Sequence, residues 1–225
     1  MESHRISGLL EDIYRRLSDT YGLQLWWPAD EPFEVMVGAI LTQSVAWSNV
    51  EKAIVGLKAA KALSPQVMRR ITTIELARII YPCGYFNAKA IRLKALADWL
   101  GSQYKDNIGA LSAVDFDSLR QQLLSIHGIG PETADSIMLY AINRSAFVID
   151  AYTRRIIYRI GLAPERGSYD GYQRLFTDNL AVDVELFNEY HALLVKLAKD
   201  ACRKKPLCGR CCLTDICWFY KGELS

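Results

Sequence analysis

The sequence predicts an all-α protein, and three observations carry that prediction. Apolar residues recur three or four apart in one segment after another, which is helical spacing. No apolar–polar alternation of the strand kind persists beyond a few residues. The segments are punctuated by Ser, Thr, Asp, Pro and Gly where helices start and stop. With 225 residues, 51% of them hydrophobic, the chain can bury one large core or two modest ones. It contains no internal repeat and no low-complexity stretch.

Taken in order, residues 5–22 place Ile6, Leu9, Leu10, Ile13 and Leu17 on one face with charges between them, and Gly22 closes that helix. Leu25-Trp26-Trp27-Pro28 is an apolar loop. Exposed tryptophans are a liability, so these two either plug a core or line a pocket. Residues 32–45, PFEVMVGAILTQSV, read as a buried helix ending near Thr42 and Gln43, and an amphipathic helix follows from Ser48 to Ala60. From Ser64 to Gln122 capped helices alternate with breaks at Pro65, at Tyr81-Pro82-Cys83-Gly84, and around Gly101 to Asn107. A further helix runs into His127-Gly128-Ile129-Gly130-Pro131, and the next opens with Pro131, Glu132 and Thr133 in its first turn and continues to Asn143. The apolar run Ala146 to Ile149 then delivers Asp150 ahead of a basic helix containing Arg154 and Arg155. Ser168 to Leu180 and Asp183 to Lys199 are the last two helices before a cysteine-rich tail.

A net charge of +2 is a weak pull on a polyanion, so any affinity for nucleic acid must come from where the charges lie. With no run of eighteen apolar residues and no charged-then-apolar leader, the expectation is a cytoplasmic protein without a membrane segment. In that compartment six cysteines are better read as metal ligands than as disulfides.

Three places carry chemistry. In His127-Gly128-Ile129-Gly130, two glycines allow positive φ and close approach, so that backbone N–H groups can converge on one anion. Such a seat positions DNA by its phosphates without reading its bases, although an ordinary helix–turn–helix connection shares the same local grammar. Asp150 is either a plain N-cap or a carboxylate held beside bound DNA. Cys202, Cys208, Cys211 and Cys217 form a four-thiolate set, with Cys212 left over, that suits either tetrahedral zinc or an iron–sulfur cubane. Arg203, Lys204 and Lys205 lie inside the first gap, so a bound metal would brace a basic finger toward a phosphate backbone; a solvated charge run is the ordinary alternative. His191 and Cys83 have no partner at ligand or triad spacing and read as structural, and His127 has none either.

The stretch LLSIHGIGPETADSIMLYAINRSAFVIDAYTRRI resembles the helix-hairpin-helix and Gly/Pro-rich loop, followed by an Asp, of the endonuclease III-like DNA glycosylase superfamily, and the cysteine tail agrees with it. The resemblance covers nearly the whole chain. It implies a two-lobed helix-hairpin-helix glycosylase fold, with a six-helix barrel domain over residues 33–144 and a second helical domain from residues 1–32 and 145–225. It also implies a 4Fe-4S cluster on the four cysteines, with zinc as the alternative; the first gap holds five residues where the family has six. The implied partner is double-stranded DNA containing a damaged base, met by a monomeric enzyme in the cytoplasm at the nucleoid.

Residue by residue, the resemblance makes Asp150 the carboxylate that stabilises an oxocarbenium-like sugar and orients water. Gln43, in LTQSVAW, becomes the side chain that fills the gap left by a flipped base. Bifunctional members carry a lysine two residues after the hairpin as imine nucleophile; this chain has Glu132, which cannot form an imine. The same Glu, together with Trp26-Trp27-Pro28, Trp47 and CGYFNAKAIRL, resembles the monofunctional 3-methyladenine glycosylases. The expectation is hydrolysis of the N-glycosidic bond of cationic alkylated purines, stacked between Trp47 and one of Trp26 or Trp27, with Glu132 facing the base. An oxidised-pyrimidine glycosylase with lyase activity, an adenine or thymine mismatch glycosylase, and a non-enzymatic DNA-binding module remain the other readings.

Overall fold

A computed structural model describes residues 2–224. In chain order its helices are α1 Glu2–Tyr21, α2 Pro32–Leu41, α3 Trp47–Ala59, α4 Pro65–Arg70, α5 Thr73–Ile79, α6 Phe86–Tyr104, α7 Phe116–Ser125, α8 Pro131–Ser136, α9 Ala151–Ile160, α10 Tyr169–Thr177, α11 Val184–Asp200 and α12 Trp218–Lys221. The rest is turns, short 3-10 segments and one π turn, and no strand occurs among the described residues. No helix among them is long and apolar enough to cross a membrane. The chain divides into two compact units, residues 27–144 and residues 1–26 with 145–225.

In the unit of residues 27–144, α2 is the centre. Every residue from Phe33 to Leu41 is buried, as a helix that is apolar on all sides requires, and α3, α6, α8 and the π turn pack around it. The helix stops at Leu41, earlier than the apolar pattern suggests. The Thr42 N–H still bonds to Gly38 O at 2.9 Å, but Ser44 turns left-handed at φ 56, so Gln43 lies in a turn.

Local capping chemistry starts α4 and α5. Ser64 accepts from Val67 N–H, and Thr72 and Glu75 form a reciprocal capping box. Both helices pack on α6. That helix runs through Gly101 and stops at Tyr104, within the Gly101 to Asn107 stretch where the sequence places a break, and glycine stands at 101 for another reason. The reason is tertiary: a Cβ at Gly101 would lie 2.6 Å from Arg69 Nη1, and Arg69 is fixed there by Asp106, at 2.6 Å from each carboxylate oxygen, and by Ala97 O at 2.7 Å. Glycine at this position makes room for a guanidinium. The stop comes at Lys105 and Asp106, both left-handed at φ 52 and 62.

The hairpin follows. Arg120 of α7 donates to fully buried Asp135 of α8 at 2.7 and 3.1 Å, fixing the two helices to each other. At Ile137 the second helix widens into a π turn that lasts to Ala141, a departure for which the sequence offers no signal. It ends before Asn143, which is left-handed at φ 54.

In the other unit, α1 buries Leu10, Ile13 and Leu17 and ends at Gly22, whose φ is 65 and whose N–H reaches Ser18 O at 2.8 Å. α11 packs against α1 and α9, and Tyr190 donates its hydroxyl to Leu10 O at 2.9 Å. Ala146 to Ile149 is buried but forms no strand. Phe147 stacks on Phe176 with centroids 3.8 Å apart and meets Phe187 and Tyr190 edge-on. Ser168 and Asp183 cap α10 and α11 through Gly171 N–H and Leu186 N–H. Phe147→Ala should therefore lower unfolding free energy by about 3–5 kcal/mol in urea titrations; a loss below about 1.5 kcal/mol would show that this aromatic stack is not the core of its unit.

Candidate active site and thiolate pocket

Gln43 meets the hairpin directly. Its Nε2 donates to Gly128 O at 3.1 Å and to Thr133 Oγ1 at 2.9 Å, and its Oε1 accepts from Arg92 Nη1. Only one of the hairpin glycines has a conformational reason to be glycine. Gly128 is left-handed at φ 82, and a Cβ there would lie 2.3 Å from Arg92 Cγ. Gly130 is extended, at φ −96 and ψ −179, with open space where a Cβ would stand. The expectation of positive φ at both positions is corrected accordingly. Ile129 is buried and anchors the turn, His127 and Gly130 are exposed, and Glu132 is exposed in the first turn of α8.

The aromatic residues separate into two settings. Trp27 stands edge-on to Trp47 with centroids 5.1 Å apart and packs against Tyr140 of the π turn at 5.5 Å. Gly38 permits this, because a Cβ there would lie 2.8 Å from Trp27 Cζ2. Trp47 Nε1 donates to Glu51 Oε1 at 2.8 Å. Trp26 belongs to the other unit, where Lys199 Nζ lies 6.0 Å from its ring. The sequence could not choose between the two tryptophans; it is Trp27 that joins Trp47.

Two residues of α6 and one before it escaped the sequence reading. Lys89 is buried and donates to Leu41 O at 2.9 Å and Cys83 O at 2.8 Å, so it ties the turn carrying Gln43 to the turn before α6. Arg92 is the partner of Gln43 described above. Tyr85, 75% exposed and left-handed at φ 46, precedes α6, and its carbonyl accepts from the Lys89 backbone N–H at 3.0 Å. The stretch CGYFNAKAIRL, which contains all three, was the hint in the sequence.

Cys202, Cys208, Cys211 and Cys217 line one small pocket, together with Arg159 and Phe219 among others; Cys212 does not line it. Arg159 Nη1 donates to Cys202 Sγ at 3.3 Å, and the backbone N–H groups of Leu213 and Tyr220 face the sulfurs of Cys211 and Cys217. Burial pushes the Cys211 thiol up to about 11 and raises that of Cys217. Burial in this pocket thus disfavours the charged thiolate form. Among the described residues no three His, Cys, Asp or Glu are arranged around a single ion. Arg159 also holds the carbonyls of Arg203 and Lys204, at 2.7 and 3.0 Å, so the exposed side chains of Arg203, Lys204 and Lys205 ride on a fixed loop.

Asp150 is the N-cap of α9, its Oδ1 accepting from Thr153 N–H at 2.7 Å. The plain capping role is thus realised, and the structure adds to it. His191 of α11, read from the sequence as structural and without a partner, places Nε2 3.7 Å from Asp150 Oδ2. Their separation along the chain hid the pairing.

Residues 37–181 match the family model of HhH-GPD superfamily base excision DNA repair proteins. The chain belongs to this superfamily. A protein of Methanocaldococcus jannaschii that bears the name of a DNA repair glycosylase is 44% identical over 211 residues, covering 93% of this chain and 96% of its own length. Among solved structures, H. pylori 3-methyladenine DNA glycosylase (MagIII) bound to 1,N6-ethenoadenine is similar at 26% identity and a TM-score of 0.72, covering 88% of this chain and 97% of that one. A trapped endonuclease III–DNA covalent intermediate shares the fold at a TM-score of 0.83 and 18% identity, covering 97% of this chain and 99% of that one.

In this HhH-GPD protein Asp150 is only 15% exposed at the side chain. Burial on its own raises a carboxyl pKa, but the His191 contact and the Thr153 N–H outweigh it, and the group is held below its ordinary value. A depressed folded-state pKa stabilises the fold at pH above the ordinary value, and that contribution disappears as pH falls through the folded value. The stability difference between the parent and Asp150→Asn should therefore hold steady down to about pH 5 and shrink only below 3.8. A difference that instead moves in the parent's favour as pH falls from about 7 to 5 would mean that burial wins and the folded carboxyl pKa is raised.

Proposed function

We propose that this protein is a monofunctional DNA glycosylase that hydrolyses the N-glycosidic bond of cationic alkylated purines such as 3-methyladenine in double-stranded DNA, acting as a monomer. The observation that carries the proposal is Asp150, a mostly buried carboxyl that caps α9 through Thr153 N–H and lies 3.7 Å from His191 Nε2, in a chain whose hairpin is followed by Glu132 where an imine-forming enzyme needs an amine. The likeness to MagIII, a 3-methyladenine enzyme, supports the substrate class.

Each group then has a task. Backbone N–H groups of the Gly128–Gly130 turn, beside His127 and Ile129, seat a phosphate, and Arg203, Lys204 and Lys205 add phosphate contacts elsewhere on the duplex. The damaged base leaves the stack, and Gln43 and Tyr85 take up the space it vacates. Trp47, braced edge-on by Trp27, stacks on the cationic purine, whose charge is attracted to the ring face, while Glu132 adds a carboxylate on the hairpin side. When the C1′–N9 bond breaks, its electron pair goes to the purine, which leaves neutral and requires no general acid. Positive charge grows on the sugar instead. Asp150 faces that charge and orients the water whose oxygen bonds to C1′, and the proton of that water passes through the carboxylate to solvent. With no amine at residue 132, the product is an intact strand carrying an abasic site.

The four cysteines fit a 4Fe-4S cluster better than zinc. They line a shared chamber with N–H donors aimed at their sulfurs, which suits a bridging cluster, whereas zinc draws its four ligands to about 2.3 Å from one point. The role of the cluster is to brace the basic loop.

A panel of duplexes with single lesions tests the reaction. Release of 3-methyladenine, with strand breaks appearing only after hot alkali, is the expected result. Asp150→Asn should keep its affinity for an abasic analogue and lose at least about a hundredfold in release rate. Borohydride trapping of a protein–DNA adduct, or excision confined to mismatched adenine or thymine, would overturn the proposal. Metal analysis tests the pocket separately: iron and sulfide are expected in the parent and in Cys212→Ser, and not in Cys211→Ser. One equivalent of zinc in a colourless protein would contradict the cluster.

A further inference from the structure

The positive charges on α6 have no counter-charge. Arg92 makes one side-chain hydrogen bond, from Nη1 to the neutral carbonyl of Gln43. Its Nε is buried with no partner, and no carboxylate stands at ion-pair distance from it among the described residues. One turn earlier Lys89 is just as bare of anions: its ammonium is buried against the carbonyls of Leu41 and Cys83, and the charge of Arg92 acts on it unfavourably. A buried ammonium beside a half-buried guanidinium, both given only carbonyls, is an expensive arrangement for a free protein. It becomes favourable once an anion arrives. The stem of Arg92 lies across Gly128, so that anion would arrive at the hairpin.

Gln43 is the other half of the argument. Both ends of its amide are committed, Nε2 to Gly128 O and Thr133 Oγ1 and Oε1 to Arg92. It cannot enter a gap in DNA without giving up these bonds, and giving them up would strip Arg92 of its single acceptor. We infer that Arg92 is a phosphate contact held in reserve by Gln43: when a duplex docks on the hairpin, the guanidinium exchanges the Gln43 carbonyl for a phosphate oxygen, and Gln43 is released to fill the gap. The inference rests on the DNA glycosylase reading above. An arginine suits the exchange because its planar fork binds phosphate oxygens in pairs and a charged acceptor displaces a neutral one. The exchange makes docking and gap filling one coupled step, since the phosphate binds only the arrangement in which Arg92 is free.

The test is the salt dependence of binding to two short duplexes, one undamaged and one carrying a tetrahydrofuran abasic analogue. Arg92→Gln should weaken both about tenfold and reduce the slope of log K against log salt by about one phosphate contact. Arg92→Lys, which keeps the charge, should retain the slope. Gln43→Ala should keep the slope, lose preference for the abasic duplex, and bind the undamaged duplex several-fold more tightly than the parent, because Arg92 is already released. A parental slope in Arg92→Gln, or no gain for undamaged DNA in Gln43→Ala, would make the pair a static brace and overturn the exchange. If Arg92→Gln does not fold, the Gln43→Ala and Arg92→Lys arms decide alone. A parent protein that binds neither duplex at low salt would remove the DNA reading itself, and that result is distinct from failure of the exchange.

Discussion

Keeping a carboxylate charged away from water requires hydrogen-bond donors and positive potential to replace its lost hydration. At Asp150 these come from the first turn of α9, through Thr153 N–H, and from His191 on α11. Much of the surrounding architecture follows from that requirement. α9 and α11 must pack together, and the residues leading into the cap, Ala146 to Ile149, must be immobilised. Phe147 does this by stacking on Phe176 between Phe187 and Tyr190. The aromatic core of this unit is thus the mount for one carboxylate.

In the hairpin unit the same physics runs with the opposite sign. Arg92 and Lys89 are cations with carbonyl partners only, and they secure the turn that carries Gln43. A protein evolved for stability alone would have paired them, as it paired Arg69 with Asp106 and Arg120 with Asp135 on neighbouring helices. Unbalanced positive charge beside the hairpin turn is what a polyanion-binding surface needs, and under the proposed function it would let a chain of net charge +2 hold DNA.

Much of this was legible in the sequence, and the division between what was and was not is physical. Caps and stops are local, so Ser168, Asp183 and Gly22 announced the bounds of their helices in advance. The hairpin and Asp150 were legible because a turn of glycines, a proline-started helix and a capping Asp are contiguous in the chain. Tertiary causes were not. The break after α6 was legible only to within Gly101 to Asn107, and Gly101 itself serves the side chain of Arg69. The two hairpin glycines look alike in the sequence, yet only Gly128 is left-handed. His191 lies far from Asp150 along the chain, and no periodicity marks it. Adjacent tryptophans in an irregular loop have no phase to say which way each faces, so Trp27 could be chosen over Trp26 only once Tyr140 and Gly38 were seen beneath it. Arg92 and Lys89 lie within CGYFNAKAIRL, but nothing in that stretch says which of its side chains are buried or what they bind.

The ionised state of Asp150 supports both the fold around α9 and the proposed chemistry, and it can be observed without DNA, metal or turnover. Carbon-13 NMR of protein labelled at the aspartate carboxyl carbons, assigned by Asp150→Asn and titrated in the parent and in His191→Phe, measures it directly. The account predicts a parent carboxyl that titrates below 3.8 and moves upward when His191 is replaced. A carboxyl that titrates above that value in the parent, or one indifferent to His191, would contradict it.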